Sequence, residues 1–127
     1  MTAATPTLEK QHDQLDSMAS RYVNVADLPW TETKYPGVKF KVLLEDTDSG
    51  LYTALFHWEP GSKLPLHEHV GIEQSYILEG SLEDQDGECT VGNFVWRPAG
   101  SRHVAVAPNG ALLLAMLQTP NNFLEDL

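Results

Sequence analysis

The stretch GSKLPLHEHVGIEQSYILEG, residues 61–80, carries an HxH pair and a glutamate between glycines. In a β-strand the side chains of His67 and His69 point to one face, roughly 7 Å apart along the chain. Two neutral imidazoles that converge from one face are a common beginning of a first-row metal site. Glu73 follows four residues later, so a turn at Gly71 can return its carboxylate towards the pair. The stretch therefore predicts one side of a metal site.

A third histidine completes the candidate site. His103 directly follows the turn PAGS at residues 98–101 and begins a strand, which should place it opposite the HxH pair. A single histidine is more often a surface or core residue than a ligand, and His12 and His57 are interpreted in that way. Three histidines and a glutamate, each beside a glycine turn, are more specific than any one of them. The predicted metal ligands are His67, His69, Glu73 and His103.

The sequence on both sides of this stretch indicates a β protein. From Tyr22 onward, short segments rich in Val, Leu, Phe, Tyr and Thr alternate with clusters of Gly, Pro, Asp and Asn. Many short strands without a central helix predict an antiparallel sandwich or barrel. The predicted strands are residues 38–44, 51–58, 73–79, 88–91, 93–97, 103–107 and 111–118.

The first 20 residues differ from the rest because they are polar. Pro6 can open a short helix from Thr7 to Ser20, and a loose arm is the alternative. We therefore divide the chain into an N-terminal arm over residues 1–20 and a single barrel over residues 21–127. A chain of 127 residues is the usual size for one domain.

Composition excludes several classes of function. The formal net charge is −10, from 18 acidic and 8 basic residues, and no Lys/Arg cluster is present. Nucleic acids and anionic membrane surfaces are therefore not expected as partners. Cys89 is the only cysteine, so neither an internal disulfide nor a CxxC motif exists. The N-terminus lacks the apolar core of a signal peptide, and we expect a cytoplasmic protein.

Two motifs resemble those of the cupin superfamily. The first cupin motif, G(x)5HxH(x)3E(x)6G, is matched without gaps by Gly61, His67, His69, Glu73 and Gly80. The second, G(x)5PxGxxH(x)3N, is matched by Gly92, Pro98, Gly100 and His103. Its final asparagine is replaced by Ala107, a departure at a structural turn rather than at a ligand. The resemblance implies an all-β cupin (RmlC-like) jelly-roll barrel, a double-stranded β-helix.

The segments LPLHEHVGIEQSYILEGSLED and GNFVWRPAGSRH are similar to ChrR-type anti-sigma cupins and to acetylacetone and dihydroxyacetophenone dioxygenases. The anti-sigma members carry an additional N-terminal zinc-binding domain with an HxxxCxxC pattern, which this chain lacks. The acetylacetone-cleaving enzymes use three histidines without a glutamate ligand, whereas this chain keeps Glu73. The resemblance thus implies the metal site more strongly than it implies one particular reaction.

Such a site would hold one divalent metal ion per subunit. Imidazole and carboxylate ligands suit Fe(II), which an oxidative enzyme would favour, and also Zn(II), Mn(II) or Ni(II). The leading functional hypothesis is a non-haem dioxygenase that acts on a small dicarbonyl or hydroxy-ketone. One alternative is a stand-alone ChrR-like sensor that binds a small molecule without catalysis. Another is a metal-dependent isomerase or lyase.

Strand parity suggests which side chains line the pocket. Ser75 and Ile77 share a face with Glu73, and Ala105 shares one with His103. On the other strands, either of the two faces could point towards the cavity. An ordinary core role is the alternative for each of these side chains. The predicted pocket residues are Phe56, Ser75, Ile77, Trp96, Ala105 and Met116. The resemblance further implies a homodimer or a tetramer.

Overall fold

The computed structural model describes Asp16 and residues 18–124. The helix or arm predicted for residues 1–20 lies outside this part of the chain, except for Asp16 and residues 18–20. The only helical element in the described part is a single 3-10 turn at Val25–Asp27.

Ten strands make up the described structure, and every strand pairing is antiparallel. They are β1 Thr31–Glu32, β2 Val38–Glu45, β3 Tyr52–Trp58, β4 Ser62–Glu68, β5 Glu73–Glu83, β6 Glu88–Thr90, β7 Phe94–Arg97, β8 Arg102–Ala107, β9 Ala111–Leu117 and β10 Asn122–Phe123. Because the segments alternate apolar and polar residues with turns between them, they form short strands with one buried face. The predicted all-β cupin architecture is confirmed.

The strands curl into two facing halves that share β5. One half follows the order β1-β2-β3-β9-β5, with β7 on the far side of β5. The other half runs β10-β4-β8 and meets the last residue of β5, which also pairs with β6. The cavity lies between the two halves, and β5 and β8 place two of the predicted ligands, Glu73 and His103, on its wall.

Gly80 is the residue at which β5 leaves the first half for the second. Its φ is +70°, in the left-handed region, and a Cβ at this position would lie 1.9 Å from the carbonyl oxygen of Gly110. The same oxygen accepts a hydrogen bond from the Ser81 backbone N–H at 3.1 Å. Only glycine has both the backbone freedom and the absent side chain that this approach requires.

Strand β4, which carries His67, is absent from the strands predicted above. Its sequence, SKLPLHE, contains Pro65 in the interior, and proline argues against a paired strand because it has no N–H to donate. The structure accommodates it at an irregularity, where the β4–β8 register shifts between Leu64 and His67. The other neighbour of β4, the two-residue β10, pairs only with His67 and Glu68. Pro65 therefore breaks no ladder hydrogen bond.

Candidate metal centre

Two adjacent strands bring the three predicted histidines together. His67 on β4 lies directly opposite His103 on β8 in the antiparallel register. His69 follows β4, and its backbone N–H donates to the Ser101 carbonyl at 2.9 Å while its own carbonyl accepts from Gly100 N–H at 2.7 Å. The turn PAGS therefore holds His69 beside the other two histidines, a role of this turn that the sequence did not predict.

The three imidazoles form one tight, buried cluster. Their ring centroids are 4.5 Å apart for His67 and His103, 4.8 Å for His69 and His103, and 5.0 Å for His67 and His69. One ring nitrogen from each residue lies within 4.8 Å of the others. The exposed fractions are 2%, 0% and 7% for His67, His69 and His103. Buried polar atoms in folded proteins normally have a hydrogen-bond partner or another ligand.

Hydrogen bonds fix the tautomers of His67 and His103. The Nδ1 atom of His67 lies 2.9 Å from the Pro65 carbonyl oxygen, which can only accept. The Nδ1 atom of His103 lies 2.8 Å from Oδ2 of Asp84, an ionised carboxylate that also can only accept. Both Nδ1 atoms must therefore carry the proton, which leaves the lone pair on Nε2.

His69 reaches the same tautomer through a hydroxyl. Its Nδ1 atom lies 2.9 Å from Oγ of Ser101, and that hydroxyl donates its own hydrogen to the Pro98 carbonyl at 2.7 Å. With its hydrogen used, Ser101 accepts the Nδ1–H of His69. The Nε2 atom of His69 is buried and has no hydrogen-bond partner among the residues that the structure describes. An orphaned acceptor of this kind, beside two more Nε2 lone pairs, fits a divalent metal.

Glu73, the fourth predicted ligand, begins β5 and borders the same space. Its Oε1 atom lies 3.4 Å from Nε2 of His69, and its Oε2 atom accepts a hydrogen bond from Nδ2 of Asn121 at 3.0 Å. Burial raises the pKa of Glu73, but contact with His69 and the Asn121 hydrogen bond outweigh this effect and hold it below the ordinary value. Glu73 is thus a carboxylate with one oxygen anchored and the other beside the histidines.

Burial keeps at least two of the histidines neutral. Removal from water lowers the pKa of His67, against the hydrogen bond to Pro65, and lowers the pKa of His103 to about 4, against the hydrogen bond to Asp84. Near pH 7 their Nε2 lone pairs are therefore available without the loss of a proton. Neutral imidazole is the form of histidine that binds metals.

The same pKa shifts predict how the metal-free protein responds to acid. In the unfolded chain His103 has its ordinary pKa of 6.5, whereas in the folded protein its pKa is lowered to about 4. The unfolded chain therefore binds more protons between these values. His103 contributes stability above pH 6.5 that is lost as the pH falls towards 4, by about 1.4 kcal/mol per pH unit.

Urea unfolding at pH 7, 6 and 5 measures this loss. His103→Gln serves as the control, because all other titrations remain in it and the difference between the two proteins isolates His103. We expect a steeper decline for the wild type. Parallel pH dependences for the two proteins would contradict the assignment of a buried neutral His103.

Asp84 is a site residue that the sequence did not reveal. It follows β5 in the turn DQDG, which the sequence indicated only as a hairpin turn. Its Oδ2 atom contacts Nδ1 of His103 at 2.8 Å and Nη1 of Arg97 at 2.7 Å. Burial raises its pKa, but the hydrogen bond with His103, a backbone hydrogen bond from Asp86 and the charge of Arg97 hold it below the ordinary value.

A cavity of about 320 Å³ opens beside the cluster, with Glu73 and His103 on its wall. Three of the predicted pocket residues, Phe56, Ser75 and Ala105, line it. The remaining lining is mostly aromatic and aliphatic and comprises Thr33, Tyr35, Val38, Phe40, Tyr52, Trp58, Leu64, Leu82, Leu113, Ala115, Leu117, Pro120, Asn121 and Phe123. One end of the cavity is therefore polar, and the rest of its wall is mostly apolar.

The other three predicted pocket residues lie elsewhere. Ile77 is fully buried in the core and does not reach the cavity lining. Trp96 is 60% exposed on β7, which pairs only with β5 and turns this side chain outward. Met116 lies between Ala115 and Leu117, both of which line the cavity, so strand alternation directs it to the outer face.

Comparison with known families agrees with the fold. Residues 18–121 match the family model described as the ChrR cupin-like domain. The chain belongs to the ChrR-type cupins. This cupin is similar in sequence to an acetylacetone-cleaving enzyme of Acinetobacter johnsonii, with 24% identity over 119 residues that span 85% of this chain and 78% of the enzyme.

Solved structures share the fold of this cupin. A proposed acetylacetone dioxygenase of Methylibium petroleiphilum superimposes with a TM-score of 0.80 at 20% identity, covering 85% of this chain and 83% of that one. The anti-sigma factor ChrR, in its complex with SigE of Rhodobacter sphaeroides, gives a TM-score of 0.62 at 25% identity. That match covers 72% of this chain and 50% of ChrR. Among the described residues, no helix is both long and apolar enough to cross a membrane.

Proposed function

We propose that this cupin is a metal-dependent dioxygenase that cleaves a carbon–carbon bond in a small dicarbonyl or hydroxy-ketone. The observation that carries the proposal is the convergence of three buried histidines, each hydrogen-bonded through Nδ1, at the polar end of an apolar cavity. His67, His69 and His103 would hold the metal, with Glu73 as fourth ligand. When bound, a divalent metal would supply Lewis-acid polarisation of the substrate oxygens and, as Fe(II), reactivity towards dioxygen.

The side chains of the cavity support this class of substrate. A dicarbonyl or hydroxy-ketone presents two adjacent oxygens at one end and an apolar body at the other. The oxygens would face the histidine cluster, and the body would pack against aromatic side chains such as Phe56, Trp58 and Phe123. An isomerase or lyase for sugar acids is less well supported, because the wall offers few polar side chains.

Oxygen uptake tests the proposal. Protein loaded with Fe(II) is mixed with acetylacetone, a phenyl-substituted 1,3-diketone and dihydroxyacetophenone, and oxygen consumption is followed with an electrode. We expect consumption with at least one of them and formation of two carbonyl or carboxyl products. Absence of uptake with every substrate, after loading with Fe(II), Mn(II) or Ni(II), would contradict a dioxygenase.

The proposed role of Glu73 as a ligand gives a separate prediction. Glu73→Gln keeps the shape and the hydrogen-bonding reach of the side chain but removes the charge beside His69. We expect the affinity for Co²⁺ to fall roughly tenfold and the visible spectrum of bound Co²⁺ to change. Glu79→Gln, at an exposed position on the same strand, is the matched control. An unchanged affinity and spectrum would show that Glu73 is not a ligand.

The likeness to ChrR favours a second candidate, a sensor that binds an apolar or oxidised small molecule at the metal without turnover. It predicts binding of the same ligands, measured by calorimetry, without oxygen consumption.

We further propose that the protein forms a homodimer or a tetramer, which light scattering in solution would test.

A further inference from the structure

We propose that Asp84 is a positioning residue that holds His103 in the Nδ1–H tautomer and aims its Nε2 atom at the metal site. The expected effect on metal binding rests on the proposed metal centre. The contacts of Asp84, by contrast, involve only residues of this chain. Asp84 lies in the turn after β5, His103 lies on β8, and Arg97 ends β7. One carboxylate thus joins three separate parts of the barrel.

Every side of the Asp84 carboxylate is occupied. Its Oδ1 atom accepts the backbone N–H groups of Asp86 at 2.9 Å and Gly87 at 3.1 Å, which form the turn. Its Oδ2 atom accepts from Nη1 of Arg97 at 2.7 Å and from Nδ1 of His103 at 2.8 Å. The side chain is only 2% exposed, which limits the access of water to these positions. A carboxylate held by four hydrogen bonds cannot rotate away from the imidazole.

The two carboxylate oxygens of Asp84 have separate partners. Within its own turn, Asp84 accepts hydrogen bonds only through Oδ1. Asp46 occupies a comparable exposed turn, in which Oδ1 accepts the backbone N–H of Asp48 at 3.1 Å and Oδ2 accepts from the hydroxyl of Ser49, without a contact to any histidine of the described part of the chain. The burial of Asp84 and its ion pair with Arg97 are additional to the hydrogen bonds within its turn. They fix the position of Oδ2, and Oδ2 in turn fixes the imidazole of His103.

His103 depends on this support more than its neighbours do. The acceptor for His67 is a backbone carbonyl, and the acceptor for His69 is a hydroxyl whose own hydrogen is engaged. Among the Nδ1 atoms of the three histidines, only that of His103 contacts an ionised side chain. A charged acceptor makes the stronger hydrogen bond and increases the basicity of the opposite ring nitrogen.

Asp84→Asn tests the assignment because it retains the turn but replaces the acceptor that faces Nδ1 of His103 with a donor. The amide oxygen can still accept from Asp86 and Gly87, which leaves the NH₂ group towards His103 and ends the contact with Arg97, since two donors do not pair. A donor at that position requires His103 to accept at Nδ1 and to carry its proton on Nε2, as an aspartate-to-asparagine change does in a catalytic triad. The nitrogen that should bind the metal is then blocked.

Two measurements decide the question at pH 7. Long-range ¹H–¹⁵N NMR of the metal-free protein reports the tautomer of His103, and titration with Co²⁺ reports metal affinity. We expect Nδ1–H in the wild type, Nε2–H in Asp84→Asn, and a 10- to 100-fold weaker affinity for Co²⁺ in the variant. Asp46→Asn is the matched control and should change neither. Arg97→Met, which leaves the carboxylate in place, should keep the tautomer and weaken Co²⁺ binding only severalfold.

A wild-type His103 in the Nε2–H tautomer would overturn the inference without need of any variant. The same holds if Asp84→Asn keeps both the tautomer and the affinity of the wild type. If the wild type does not bind Co²⁺ at all, the proposed function fails, while the tautomers still decide whether Asp84 orients His103.

Discussion

His69→Ala is expected to weaken the binding of a divalent metal by on the order of 100- to 1,000-fold. Metal sites with four protein ligands supply roughly 10–16 kcal/mol of binding free energy, so one ligand accounts for about 3 kcal/mol or more. His69 is the most informative of the three histidines because its Nε2 atom is completely buried and has no hydrogen-bond partner in the metal-free protein.

Equilibrium dialysis with Co²⁺ or Fe²⁺ measures this effect. His57→Ala is the matched control, since His57 lies on β3 in contact with the ring of Trp30, away from the cluster. The control should bind one equivalent of metal with the affinity of the wild type. Equal affinities for His69→Ala and the wild type would contradict the proposed centre, even if both proteins bind metal.

Gly80→Ala is expected to lower the free energy of unfolding by roughly 3 kcal/mol or more. The new methyl group would meet the Gly110 carbonyl oxygen at 1.9 Å, and the backbone would keep a φ of +70° that alanine rarely adopts. Relief would require β5 to move away from β9 at the point where the two halves of the barrel join.

Urea unfolding, monitored by tryptophan fluorescence, measures the loss. Gly61→Ala is the matched control, because Gly61 has a φ of +80° but no atom within 4 Å of its would-be Cβ. It should cost only about 1 kcal/mol, the price of the backbone conformation alone. A similar loss in both variants would show that the close approach to Gly110 does not limit stability.

The ligand positions were predictable from sequence because they follow from local rules. The HxH spacing predicts two imidazoles on one side of an extended segment, and the glycine turn before His103 presents that residue from the neighbouring strand. The strand that carries His67 was not predicted, since Pro65 is compatible with a strand only where the partner strand shifts register. The register shift arises from the pairing of β4 with β8, so neither segment reveals it alone.

Other features depend on long-range contacts that no local pattern encodes. Trp96 is apolar enough for a pocket, yet the edge position of β7 directs it outward. Asp84 occupies an ordinary turn sequence, and its contact with His103 exists only once β5 and β8 meet. Asn121 reaches Glu73 from 48 positions along the chain. Supporting contacts of this kind emerge from the folded barrel alone.

Anomalous diffraction from crystals of the Fe²⁺-loaded protein, recorded on both sides of the iron edge, tests the metal centre most directly. We predict one difference peak per chain, within bonding distance of the Nε2 atoms of His67, His69 and His103. A map without density at that point, or with iron bound only elsewhere on the surface, would contradict the assignment of this cluster as the metal site.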